Sequence, residues 1–246
     1  MSSRHTLQRF VILSAPRSGS NMLCSMLQSH SDILCHHEVF NPTGMFYALP
    51  LRNTSFSLAS SIAERDAAPF KVLEAIWHES MGHNAVGFKM THQQQPDIFE
   101  AVVNDPSIKK IVLKRNNPLQ VHVSKLVAEH TGVWENYHSD PEPVRCQVMV
   151  NKAELAADIA KNQAYYQALS QCLATTQQTY CAVDYETLLS EATQARILDF
   201  LGVRRLRLKA ASRKQAPDDL RRVIRNYEQL LASSDGQLKE LLENCE

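Results

Sequence analysis

Several stretches of this chain carry residue types that hold oxyanions. The first is Ala15-Pro16-Arg17-Ser18-Gly19-Ser20-Asn21, a polar turn between the apolar run Phe10–Leu13 and the helical pattern of Met22, Leu23, Met26 and Leu27. A strand, a tight loop and a helix start leave backbone N–H groups able to bind an anion, and the helix dipole favours negative charge there. Arg17 adds a permanent cation to the same loop. A second cation, Arg115, follows the run Lys109–Lys114, and Ser124 lies on the helical pattern beyond it. A third basic stretch is Ser212-Arg213-Lys214-Gln215. One ligand with two separated anionic groups accounts for these features together.

The elements that must position them alternate along the chain. Strands are expected at about Arg9–Ser14, Ala85–Met90, Lys109–Lys114 and Thr179–Val183. Helical patterns cover about Ser20–Ser29, Ser57–Ala67, Pro69–Glu79, Pro96–Val103 and, capped by Asn117-Pro118, a segment ending near His130. Further helices are expected at about Ala153–Leu173, Ala192–Leu201, Asp218–Leu231 and Gln237–Glu243. Strands separated by helices imply an α/β fold: a single domain with a parallel sheet of about four to five strands, flanked by helices in a P-loop-like nucleotide-binding topology. The core is expected over 9–231, with a Pro- and polar-rich loop over 131–150 and a helix within 232–246. Ligands of such sheets sit beyond the carboxyl ends of the strands. That rule pools Pro16–Asn21, Lys89–His92, Arg115 and Tyr185.

Several function classes are disfavoured. The loop lacks the Lys-Ser/Thr pair of GxxxxGK[ST] and is not GxGxxG. The Lys109–Lys114 strand leads into Arg115 where a magnesium-dependent NTPase needs Asp. Lys+Arg and Asp+Glu are both 26, and this balance argues against a general nucleic-acid binder. No apolar run is long enough to span a membrane, and Phe10–Leu13 is too short for a signal peptide. The six cysteines are scattered without CxxC, as expected for reduced thiols in the cytoplasm, and no metal site is expected. Adjacent His36 and His37 point opposite ways on an extended segment. Arg204, Arg205 and Arg207 read as a solvated basic face.

From about Arg9 to Leu231 the chain resembles the sulfotransferases that use 3′-phosphoadenosine-5′-phosphosulfate (PAPS). Pro16–Ser20 (PRSGS) is similar to the family's 5′-phosphosulfate loop, and Arg115–Ser124 (RNNPLQVHVS) to its 3′-phosphate element. Val183–Leu189 (VDYETLL) and Ile197–Val203 (ILDFLGV) resemble two further signatures of the family. Arg213–Leu220 (RKQAPDDL) and Asn226–Leu230 (NYEQL) resemble the C-terminal part of bacterial carbohydrate sulfotransferases of the nodulation-factor and glycolipid type. The resemblance implies PAPS as co-substrate, 3′,5′-ADP as product, no metal, and a small-molecule or glycolipid acceptor bearing a hydroxyl. It implies that Arg17, Ser18, Gly19, Ser20, Asn21, Arg115, Ser124, Tyr185, Arg213 and Lys214 bind the nucleotide. Asn21 departs from the family's usual hydroxyl but can still donate to an oxyanion.

Sulfuryl transfer calls for positioning, charge stabilisation and a base for the acceptor hydroxyl. Arg17 sits where charge develops on the leaving phosphate, and Lys89 is a second cation for the transferring group. The resemblance offers two bases: Glu38, kept by the bacterial relatives, and His92. The latter resembles a Lys-Thr-His motif with one extra residue between Lys89 and Thr91; Glu38 is favoured. The resemblance makes 131–150 the acceptor-side loop, with Trp134 and Tyr137 as candidates to line the acceptor pocket. The alternatives are a P-loop-like nucleotide kinase and an inactive nucleotide-binding protein of the same fold.

Overall fold

The structure, a computed structural model, describes residues 7–92, 94–142, 145–214, 219–234 and 236–243. Its centre is β1 (Gln8–Ser14), a strand whose last five residues are buried, as an apolar run flanked by sheet on both sides must be. Five parallel strands take the order β2-β3-β1-β4-β5, with β2 at Ile33–His36, β3 at Ala85–Met90, β4 at Lys109–Lys114 and β5 at Tyr180–Asp184.

Because side chains alternate across a strand, β1 feeds two cores. Val11 and Leu13 join Phe88, Trp77, Val102 and Leu169 on one face. Phe10 and Ile12 join Leu23, Leu27, Ile111 and Ile197 on the other. Helices cover both faces: α1 (Ser20–Gln28), α2 (Ile62–Ala67), α3 (Pro69–His78), α4 (Pro96–Asn104), α5 (Pro118–Thr131), α6 (Lys152–Thr175) and α7 (Glu191–Leu201). Two shorter helices, α8 (Tyr227–Ala232) and α9 (Gly236–Glu243), close a third apolar cluster with Leu119, Val123, Leu155 and Leu220. Among the described residues no helix is long and apolar enough to cross a membrane.

The sequence pattern differs from the structure in three places. It offers no signal for β2, whose four residues are too few to show a period. The helix expected from Ser57 starts at Ile62, because the Ser61 hydroxyl accepts from the Glu64 amide and caps it there. The helix expected over Asp218–Leu231 is a 3-10 turn at Leu220–Arg222 followed by α8. Between them the Val148 N–H donates to Val223 O and the Val148 carbonyl accepts from Arg225 N, both at 2.8 Å, so those groups are spent on a bridge rather than a helix. Residue 218 of that segment lies outside the described residues, as do 215–217 of the basic stretch and 143–144 of the loop over 131–150.

Candidate active site

The β1–α1 loop lies at the carboxyl edge of the central strand. Arg17 and Gly19 both adopt left-handed backbone, with φ of 64° and 86°. Gly19 starts α1, and no side chain caps it, so the first-turn amides point out of the helix. A Cβ on Gly19 would sit 2.1 Å from Cδ2 of Tyr185, so only glycine fits beneath that ring. The loop is braced from α6: the Tyr166 hydroxyl donates to Leu113 O at 2.8 Å, accepts from Ala15 N at 3.0 Å, and meets Ser18 Oγ at 3.3 Å.

Arg17 Nε donates to Ser124 Oγ at 3.0 Å and Nη1 to the Trp134 carbonyl at 2.7 Å. Burial, then the nearby positive charge of Arg115, pull its guanidinium down to about 10. Arg115 lies 4.6 Å from the Tyr185 ring centre and donates to Gln120 Oε1 at 2.8 Å. The charge of Arg115 is thus felt at Arg17, and two guanidinium groups beside the start of α1 have the chemistry to hold anions. Lys214 reaches the same place, its ammonium 5.9 Å from the Tyr185 ring. Arg213 turns the other way. It donates to the His138 carbonyl at 2.6 Å and to Glu142 Oε1 at 2.7 Å, tying the C-terminal segment to the 136–142 loop.

Across the loop, Lys89 Nζ contacts Glu38 Oε1 at 2.5 Å and Ser20 Oγ at 3.5 Å. The second carboxylate oxygen of Glu38 accepts from Asn41 Nδ2 at 2.5 Å and Gln94 Nε2 at 2.6 Å. Burial favours the neutral acid, but Lys89, Asn41 and Gln94 outweigh it and hold the carboxyl below its ordinary value of 4.5. The turn that carries Glu38 is fixed by Arg65, which is 1% exposed and donates to the carbonyls of Val39, Asn41 and Gly44 at 2.9, 2.6 and 3.0 Å.

His92 does not join Glu38 and Lys89. The turn from Thr91 to Gln94 brings the Gln94 amide to Glu38 and sends the His92 ring onto Tyr165, 4.8 Å between centroids. Burial, then Lys161, lower its pKa, and among the described residues neither ring nitrogen has a hydrogen-bond partner. Asn21 Oδ1 lies 3.3 Å from His37 Nδ1, and burial pulls that imidazole down to about 4. His36 is buried between Tyr47 and Phe56.

Sequence reasoning missed Asn41, Gln94, Arg65 and Tyr166 as parts of the site. The first two are neutral amides whose role depends on a turn, and the last two support backbone from distant elements. Only Pro96, opening α4, marks the turn that aims Gln94.

No family model matches the chain. It is 25% identical over 235 residues to Nodulation protein H of Rhizobium meliloti (strain 1021), spanning 91% of this chain and 90% of that protein. It is also 25% identical over 241 residues to Nodulation protein H of Rhizobium tropici, spanning 90% and 87%. Among solved structures, a sulfotransferase from Alicyclobacillus acidocaldarius aligns with a TM-score of 0.49 and 16% identity over 92% of this chain and 91% of that one. A mouse sulfotransferase complexed with PAP aligns with a TM-score of 0.41 and 14% identity over 83% and 61%.

Proposed function

We propose that this chain, a member of the PAPS-dependent sulfotransferases, moves the sulfuryl group of PAPS to a hydroxyl of a carbohydrate or glycolipid acceptor without a metal ion, with Glu38 as the base. The observation that carries this reading is the gathering of Arg17, Arg115 and the Lys89–Glu38 pair around the uncapped start of α1. The two guanidinium groups fit a ligand with separated phosphates, and Tyr185 lies between the Gly19 loop and Arg115. No carboxylate ends β4, where a magnesium-dependent kinase needs one, and this favours sulfuryl over phosphoryl transfer.

PAPS supplies an electrophilic sulfur and a phosphate leaving group. One S–O bond forms to the acceptor oxygen and one breaks to the 5′-phosphate. Arg17 and the loop amides meet the charge that gathers on the leaving phosphate. The acceptor proton passes to the Glu38 carboxylate. Lys89 has two tasks, to keep Glu38 ionised and to neutralise the sulfonate oxygens. As its ammonium turns from the first to the second, Glu38 becomes more basic.

The test is transfer from radiolabelled PAPS to a panel of oligosaccharides and glycolipids in EDTA. Label on an acceptor that is lost in Glu38→Gln supports the reading. Transfer that needs Mg²⁺, or that proceeds at the wild-type rate in Glu38→Gln, overturns the corresponding part.

A further inference from the structure

We infer that the acceptor is a pyranose seated with its C–H face on the indole of Trp134 and its hydroxyls against the Arg52–Glu135 pair. This rests on the sulfotransferase reading above and names the chemistry of its second substrate. Trp134 is 51% exposed, unusual for so large an apolar ring, yet it is fixed in place. Its carbonyl accepts from Arg17 at 2.7 Å, and its ring centre lies 6.0 Å from the Arg17 guanidinium carbon. An apolar face is therefore held open beside the cation that would meet the leaving phosphate.

The next residue supplies the polar half of the surface. Glu135 accepts from Arg52 at 2.5 Å through one oxygen and 3.4 Å through the other. Both side chains are 24% exposed, so the pair is only partly buried and keeps one side toward solvent. Arg52 lies 5.9 Å from the Phe46 ring and 5.7 Å from that of Tyr137, which hold its plane. Glu135 Oε1 is 3.6 Å from His37 Nδ1, and the carboxylates of Glu135 and Glu38 both act on the Arg17 guanidinium, so the pair and the base lie around the same cation.

Tyr137, the other aromatic expected to line the pocket, cannot serve. It is buried, and its hydroxyl faces His37 at 3.5 Å. An exposed indole beside a planar ion pair suits a ligand that is apolar on one face and rich in hydroxyls at its edge. A purely apolar acceptor would desolvate the ion pair without replacing its hydrogen bonds. An anionic acceptor would meet the Glu135 carboxylate. A pyranose satisfies both halves.

The chain has two tryptophans, and the other, Trp77, is buried in the core, so a change in emission on adding ligand reports on Trp134 over a constant Trp77 background. The probe is a set of chromophore-free gluco- and galacto-configured pyranose oligosaccharides, titrated into the protein loaded with 3′,5′-ADP. Binding is followed in parallel by calorimetry. The expected result is a saturable change in emission that disappears in Trp134→Phe, in which calorimetry still detects binding. Trp134→Ala should weaken that binding about three- to tenfold, a larger loss than it causes in 3′,5′-ADP affinity. Oligosaccharide binding that leaves Trp134 emission unmoved, or equal binding by Trp134→Ala, overturns the inference. So does a protein that binds 3′,5′-ADP but none of the oligosaccharides. Failure to bind 3′,5′-ADP overturns the donor reading, and this inference falls with it.

Discussion

Glu38 accepts from three donors, which makes it a firmly held carboxylate and, while so held, a weak base. Its depressed pKa means that it supports the folded state above the ordinary carboxylate range, a contribution lost as pH falls through the folded value. Lys89→Met should raise the pKa, because burial is then opposed only by the hydrogen bonds of Asn41 and Gln94. Carbon NMR of the labelled Glu38 carboxyl should place the wild-type midpoint below 4.5 and the variant's higher than the wild type's. An unmoved midpoint would contradict the role given to Lys89. Glu38→Gln should lower kcat by roughly 10²–10⁴-fold with 3′,5′-ADP affinity intact. Arg115→Ala should weaken 3′,5′-ADP by about ten- to a hundredfold and 5′-AMP far less, the loss of one charged hydrogen-bonding partner. Equal calorimetric losses for both nucleotides would remove Arg115 from the 3′-phosphate.

At the scale of elements, the site depends on two short turns. Gly19→Ala combines left-handed backbone, a cost of about 1–2 kcal/mol, with a Cβ driven into Tyr185. Its melting temperature and its nucleotide affinity should fall together, and adding Tyr185→Ala should recover part of the first. Arg65→Met leaves the carbonyls of Val39, Asn41 and Gly44 without their buried donor. Urea unfolding should show a loss of roughly 1–3 kcal/mol at unchanged slope. The β1–α1 loop was legible in the sequence because its apolar run, Gly19 and the helical restart are local signals. The Glu38 turn was not, since Arg65 and Gln94 reach it from α2 and from beyond β3. Local periodicity carries no record of such contacts. His92 illustrates the same limit: its motif is local, but the Thr91–Gln94 turn decides which side chain faces Glu38.

For the whole molecule, the strand order β2-β3-β1-β4-β5 places β1 between β3 and β4, so the residues after all three strands meet at one edge. This is why a strand-end rule could gather Arg17, Lys89 and Arg115 before their contacts were known. The short β2 escaped the pattern, yet it delivers His37 and Glu38 to that same edge. The C-terminal segment closes the other side. Tyr137 bridges Ser212, which leaves Arg213 on the 136–142 loop and Lys214 at Tyr185. The account therefore requires a ligand that spans Arg17 and Arg115 and carries negative charge at both ends. Thermal unfolding in EDTA with 3′,5′-ADP, ATP or 5′-AMP tests this most directly. The midpoint should rise with 3′,5′-ADP well beyond its rise with either of the others. Equal shifts for all three nucleotides, or a larger one for ATP with Mg²⁺, would contradict the assignment.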